Sequence, residues 1–385
     1  MTAPGRGPYD LAVVGAGVVG LATAYAGVRR GLRVLVVDRS AEAVGASVRN
    51  FGFVTITGQR RGAHWARAKR SRDIWAGIAP QAGIEVLHEG LLVLGRRPEA
   101  AAVLDAFAAT EMGEGCRFVT CAEARGMAPP LACEDAAAIL HSPHELRVES
   151  RDAIPRLARW LEDAKGVSFL RRAAAHAVTP PRIETSAGTF DAGAVVVCPG
   201  DEFAALFPER IAAAGLRICT LQMLRLAAPG APAFGAAVMS DLSLVRYEGY
   251  SALPEAAALA EVLRREQGPE LDAGIHLIAV QSADRSFVVG DSHVYGDAPA
   301  PFAREALDDL ILAEFDRVLP LPGRRVVERW TGAYASGRDV IFHDRPAADV
   351  RLLIVTGGTG ASTAFALGED VLADLFDAQP LKTET

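Results

Sequence analysis

The chain has 385 residues, half of them hydrophobic and 23% charged, with a formal net charge of −7. This composition excludes global disorder, and the acidic balance offers no overall attraction to nucleic acid or to an anionic membrane. The length exceeds what one compact core holds, so two domains are expected.

The first residues, MTAPGRGPYD, lack the basic end and apolar stretch of a secretory signal. No segment runs about eighteen apolar residues without a charge, so no membrane partner is expected and the cytoplasm is the expected compartment. Five cysteines, Cys116, Cys121, Cys133, Cys198 and Cys219, have no CxxC spacing. They read as free thiols, with neither a disulfide framework nor a metal site expected.

In chain order, YDLAVV reads as a buried strand, followed by a helix through Tyr25 and Arg30 and by a second buried strand, RVLVVD. Continuous apolar character, without polar alternation, fits a parallel sheet covered on both faces. The stretch GASVRNFGFVTITGQ is too rich in Gly, Ser and Asn for a regular element and is a candidate site loop. A helix is predicted from about His64 to Ile78. From about Glu85 to Ala136 a short strand, LLVLG, mixes with amphipathic helical segments.

A helix over Arg151 to Ala164 precedes strands at VSFLRR and AHAV and a buried strand, AVVVCPG. From Leu221 to Gly296 the chain reads mostly as β, with a turn at Ala283, Asp284 and Arg285. A long helix is predicted through Ala306, Leu307, Leu310, Ile311 and Phe315. The last stretch gives RRVVERWTGAY, the buried strand RLLIVTG, a glycine turn and a helix from about Ala361 to Phe376, before a polar end expected to fray. The predicted class is α/β, a Rossmann-like dinucleotide domain with an interleaved α+β substrate domain on an antiparallel sheet. The expected boundaries are 1–80, 145–215 and 323–385 for the first domain, and 81–144 and 216–322 for the second.

The strongest chemical signal is VVGAGVVG, where Gly15, Gly17 and Gly20 form GxGxxG between strand and helix, with Ala16, Val18 and Val19 between them. The glycines serve a tight turn, the approach of a pyrophosphate and close helix packing, and the helix N-terminus faces the phosphates. The second strand ends at Asp38, beside Arg39. That is about 20 residues on, where a ribose-binding carboxylate belongs. A carboxylate there also argues against a 2′-phosphate. Two further glycine-rich loops, GASVRNFG and VTGGTGAS, lie far apart in sequence, as the surroundings of a flavin ring require.

The chain resembles the D-amino-acid oxidase, glycine oxidase and sarcosine oxidase superfamily of FAD enzymes. The resemblance runs through VVGAGVVG, GASVRNFG, AVVVCPG, RWTG and GGTGAS in order. SVRNFG resembles, within it, a subgroup of FAD-dependent oxidoreductases associated with phosphonate catabolism. The resemblance implies a glutathione-reductase-type FAD domain. Ser47, Asn50 and Gly52 would lie along pyrophosphate and flavin, Val178 would meet the adenine, and Gly200 would close over the nucleotide. Gly332 belongs to the RWTG segment, and Gly357, Gly358, Gly360, Ala361 and Ser362 would offer backbone N–H groups to the flavin's pyrimidine edge. Reduction places negative charge at that edge, which helix-terminal donors stabilise. With no cysteine after Cys219 to form a late thioether link, non-covalent FAD is expected; His64 is a conceivable attachment point by position alone.

Tyr334, in WTGAYAS, stands near where the better-known amine oxidases carry the arginine that clamps a substrate carboxylate. Arg49, Arg246 and Arg338 are then the candidates to grip a substrate anion, carboxylate or phosphonate. Tyr250 and His293 are expected at strand or hairpin ends, able to face the flavin, with Tyr247 and Tyr295 nearby and Trp330 packing beside it. The expected reaction is oxidation of a small amine, with oxygen or another acceptor taking the electrons. An aminophosphonate such as 2-aminoethylphosphonate or its N-methyl form is one substrate reading. An amino acid or 2-hydroxy acid, with His293 as base, is another, and a flavin-binding subunit without turnover is a third.

Overall fold

The protein is described here by a computed structural model covering residues 8–381. The end expected to fray extends into 382–385, outside the described residues. The strand Tyr9–Val14 pairs in parallel with Val34–Asp38 on one side and with Gly188–Val197 on the other. Ser168–Arg171 extends the sheet beyond the second strand and Val350–Gly357 extends it beyond Gly188–Val197, again in parallel. The apolar runs in these strands exist because both faces are covered. Leu11, Val13, Val34, Val36 and Leu353 pack under the helices Val18–Arg29, Ser150–Lys165 and Gly360–Phe376. Their alternates Ala12, Leu35, Val37 and Leu352 face a second cluster with Ile183 and Phe190, from the hairpin strands that follow Ser168–Arg171.

One strand of 23 residues, Arg325–Ala347, joins this sheet to an antiparallel one. Its later part pairs with Val350–Gly357 and its earlier part with Arg217–Ala227. From Arg217–Ala227 the sheet continues through Phe287–Gly290, Ile278–Gln281 and Ala237–Ser240 to Val86–Gly95 and Ala138–Val148. The largest apolar cluster of the chain sits on this second sheet, with the helices Pro98–Ala108 and Glu305–Val318. The α/β class and the mixture of parallel and antiparallel pairing therefore follow the sequence expectation.

Two expectations are corrected. The region read as mostly β is interrupted by the 3-10 turn Asp241–Val245 and by the helices Glu248–Ser251, Ala256–Glu266 and Gly268–Asp272. Ala256, Leu259 and Leu263, spaced by three and four, supply the buried face of the longest of these. Tyr250 therefore lies in a short helix and not at a strand or hairpin end. Cys121 and Cys133, expected as free thiols, form a disulfide with Cα atoms 5.5 Å apart. Cys121 opens a helix behind the capping box of Thr120 and Glu123, and the chain folds back to bring Cys133 beside it. A separation of 12 residues carries no metal- or redox-type spacing in sequence. Cys116, Cys198 and Cys219 are free. Among the described residues no helix is long and apolar enough to cross a membrane.

The helices Val18–Arg29 and Gly360–Phe376 cross at Gly368, where an added Cβ would lie 2.9 Å from the backbone carbonyl of Ala22. Backbone that close cannot yield without moving a helix. Gly368→Ala is expected to lower stability by about 1–3 kcal/mol, the usual cost of overpacking. Urea unfolding of the FAD-free protein checks this, and an unchanged midpoint would contradict it.

Candidate active site

A cavity of about 420 Å3 runs from the first glycine turn to the antiparallel sheet. At one end, Gly17 caps the helix Val18–Arg29, and Gly17, Val18, Val19 and Gly20 line the wall. The space over Gly17 is open apart from Ser47 Oγ, 3.0 Å from where a Cβ would stand. Gly15 and Gly20 are instead packing positions, against the Cys198 carbonyl and the Gly15 carbonyl. Ser47 Oγ accepts the Val18 N–H at 2.9 Å. A phosphate could take that acceptor role at the positive end of the helix.

Gly357, Gly358, Gly360, Ala361 and Ser362 line the same cavity, where a second helix begins at Gly360 behind Thr359. Ser362 Oγ accepts the Thr55 N–H at 2.9 Å, and Trp75 Nε1 donates to the Ala361 carbonyl at 2.9 Å. These two bonds tie the loop to its neighbours along the cavity wall. Two helix N-termini, one at each glycine loop, fit a dinucleotide whose phosphates and flavin pyrimidine edge both carry negative charge.

The other end is built by strand register. Cys219 pairs with Tyr295 on one side and with Tyr334 on the other, so both tyrosines stand on the cavity face. Two residues along, Leu221 lies opposite Gly332, where the Arg49 carbonyl passes 3.2 Å from the place a Cβ would take. Burial raises the Tyr334 hydroxyl well above its ordinary value and the Cys219 thiol to about 11, so both are neutral. Arg246, just past the 3-10 turn, donates to Tyr295 Oη at 2.7 Å with its guanidinium 6.0 Å from the ring centre.

Ile278 pairs with Gly290, and past that pair the two ends of the hairpin bring His276 beside Asp291 and His293. All three of His276, Asp291 and His293 are buried, at 4%, 4% and 8% exposure, and all line the cavity. His276 Nε2 lies 3.2 Å from Asp291 Oδ1, and His293 Nε2 lies 3.9 Å from Asp291 Oδ2. The imidazoles stack at 5.2 Å. His293 Nδ1 sits 2.8 Å from the Gly274 carbonyl, so it carries the ring proton and its Nε2 lone pair turns toward Asp291. Burial, and then the Arg246 charge, lower both imidazoles, His276 to about 3, while burial raises Asp291 to about 7 against the pull of Arg246.

The remaining sequence candidates divide. Arg49 and Arg338 line the cavity but are exposed, and Arg49 Nη1 lies along the Thr331 carbonyl at 3.3 Å. Trp330 donates its indole N–H to the Arg49 carbonyl at 3.1 Å and is covered by Arg151. Asn50 lines the cavity with its amide spent on its own loop, donating to the Ala46 carbonyl at 2.7 Å and accepting the Gly52 N–H at 2.6 Å. Gly200 and His64 line it too, His64 lowered to about 4 by burial. Ala16, Asp38, Arg39 and Val178 stand outside this cavity, and Arg39 pairs with Glu202. Asp38 accepts the Ala16 N–H at 2.6 Å and the Ser40 N–H at 2.7 Å. Two positions depart from the expectation. Gly52 packs on the Val148 carbonyl and Arg147, outside the cavity, because the loop turns there under the strand Ala138–Val148. Tyr250 is fully buried against Phe107, behind the wall, because its helix turns inward. Tyr247 lines the cavity with its ring against His276. Sequence reasoning names His293 but not its partners His276 and Asp291; the available signal was HLIAVQSADRSFVVGDSH, a hairpin whose register brings its two ends together.

A family model described as FAD dependent oxidoreductase (DAO) matches residues 10–375. No curated protein matches the chain. Among solved structures, the fold is similar to glycine oxidase from Geobacillus kaustophilus, at 18% identity over 98% of this chain and 96% of that one, TM-score 0.75. It is similar to L-proline dehydrogenase from P. horikoshii, at 17% identity over 96% and 94%, TM-score 0.77. It also resembles L-alpha-glycerophosphate oxidase from Mycoplasma pneumoniae with FAD bound, at 15% identity over 98% and 97%, TM-score 0.73.

Because Asp38 braces two backbone donors, Asp38→Ala is expected to lower the melting temperature of the FAD-free protein as well as FAD affinity. The affinity loss expected is about 1.5–3 kcal/mol, the value of a hydrogen bond to a charged group. Titration with FAD and melting of the apoprotein check the two parts. Weaker FAD binding with unaltered apoprotein melting would restrict Asp38 to the ribose.

Proposed function

The chain belongs to the DAO family of FAD-dependent oxidoreductases, and from that premise we propose that it oxidises a small amine bearing an acidic group. The observation that carries this reading is the pairing, in one cavity beside the flavin loops, of a cation fixed by Tyr295 with a buried carboxylate. Arg246 suits the acid of a zwitterionic substrate, and Asp291 suits its nitrogen. Bound FAD supplies the hydride acceptor at N5, and the protein's residues bind the acid, aim the carbon-hydrogen bond and exclude water. The resulting imine hydrolyses in water.

Arg246 is the preferred clamp over Arg49, which the sequence suggests first, because it is partly buried and faces neutral hydroxyls. A guanidinium fork serves carboxylate and phosphonate equally. The phosphonate form of the proposal, 2-aminoethylphosphonate or its N-methyl derivative, is supported by the SVRNFG resemblance and by Tyr334 at the position of the usual carboxylate clamp. A 2-hydroxy acid is the second reading, favoured by the imidazoles beside Asp291, which could serve a hydroxyl proton.

Anaerobic mixing of the holoenzyme with glycine, sarcosine, proline, 2-aminoethylphosphonate, its N-methyl form and lactate decides among these by bleaching of the flavin. Reduction by the phosphonates alone is the expected result, and reduction by glycine or sarcosine with none by a phosphonate overturns the phosphonate form. Arg246→Ala is expected to lower kcat/KM by at least about tenfold, or roughly 1.4 kcal/mol of transition-state binding, with normal flavin content. A larger loss in Arg49→Ala would move the clamp there.

A further inference from the structure

The geometry points to Asp291 as the acceptor of the proton that leaves the substrate nitrogen, with His276 and His293 as positioning residues packed against its carboxyl. This rests on the amine reading above. In the step, an N–H bond of the substrate ammonium breaks and its electron pair stays on nitrogen. An O–H bond forms on Asp291. Ammonium and carboxylate become amine and carboxylic acid, so charge and atoms balance without any further reactant, and the nitrogen lone pair is freed to assist loss of hydride from the neighbouring carbon. Burial favours the neutral pair over the charged one.

The surroundings of Asp291 assign the role to the carboxyl. Arg246 acts on it, Arg246, Tyr247 and Cys219 feel its charge, and His276 and His293 pack against it, while Arg246 also faces Tyr295 and Tyr334. Both imidazoles are held neutral by burial and by Arg246, so neither takes a second ring proton near pH 7, while the carboxyl is poised there. His276 Nε2, 3.2 Å from Oδ1, is within reach of an O–H formed on that oxygen. His293 is fixed in tautomer by Gly274, at φ +63°, where a Cβ would stand 2.8 Å from the His293 Cβ. His276 Nδ1 and Asp291 Oδ1 have no hydrogen-bond partner, which suits groups whose bonding changes when a proton arrives. The ligand-type atoms of the three residues also lie within 4.8 Å of one another, near enough for a divalent cation. The guanidinium of Arg246 opposes one.

Two measurements on the holoenzyme test the assignment. Infrared difference spectra between about pH 5 and about pH 9 should contain a carboxyl band with a midpoint near 7, missing from Asp291→Asn. Anaerobic flavin reduction by 2-aminoethylphosphonate, or by glycine if that is the amine that reduces the flavin, should speed up as pH rises through that midpoint, since the base must be ionised to accept a proton. Asp291→Asn should lose this limb and at least about 100-fold in rate, with Asp291→Glu recovering the limb. His276→Gln and His293→Gln should shift the midpoint while flavin content stays normal; they serve as the test if Asp291→Asn fails to fold. A carboxyl band and pH limb unchanged in Asp291→Asn overturn the proposal, and so does one tightly bound metal ion per chain that Asp291→Asn removes. A band that titrates as expected, with no amine reducing the flavin, overturns the amine reading and with it the transfer of an amine proton to Asp291, leaving only the carboxyl's titration.

Discussion

The organisation of this protein depends on how closely two helices cross. Val18–Arg29 and Gly360–Phe376 come from opposite ends of the chain, yet Gly368 rests on the backbone at Ala22 with no room for a methyl group. That contact brings two N-termini to one cavity, where their partial positive charges add. A single helix end would suit a phosphate. Two of them, set at the two glycine loops, suit a ligand that carries a pyrophosphate at one end and gains electron density at the other.

The opposite end of the cavity works by desolvation. A carboxylate and a guanidinium buried close together attract more strongly than in water, but each loses hydration, and neither is paired directly with the other by a hydrogen bond. Asp291 responds by rising toward neutrality, whereas Arg246 keeps its charge and leans on a tyrosine hydroxyl. A zwitterion entering such a site replaces lost water with complementary charge at both ends. A ligand with only one charge would satisfy one residue and leave the other unpaired, so the cost of leaving a buried group unmatched becomes a source of selectivity.

Much of the cofactor end was legible in sequence because its requirements are local: a strand, a glycine turn and a helix within a dozen or so residues. The substrate end was not, since it depends on register between strands far apart. His276 and Asp291 have no shared motif and meet only because Ile278 pairs with Gly290. Tyr295 and Tyr334 likewise become neighbours only through Cys219. The helices within residues 241–274 were missed because short apolar spacings at Ala256, Leu259 and Leu263 lie inside a stretch framed by strong strand signals. The disulfide was missed because parity and CxxC spacing say nothing about a link over 12 residues. Tyr250 reads as a site residue in sequence because an aromatic hydroxyl can serve chemistry or packing, and its burial against Phe107 decides for packing.

The loop around SVRNFG illustrates how a motif can be right about place and incomplete about purpose. Asn50 spends its amide on Ala46 and Gly52, Gly52 seats against Val148, and the backbone carbonyl of Arg49 takes the indole of Trp330. Within this hexapeptide the polar groups mostly fix a turn that carries the chain past the flavin position. A substitution in the loop would therefore disturb the cofactor wall before it altered substrate choice. The far wall is built separately, with Tyr295 and Tyr334 placed by strands and Arg246 by the 3-10 turn before it. The loop thus bears first on how the cavity is bounded, whereas the polar groups opposite are set by the register of the antiparallel sheet.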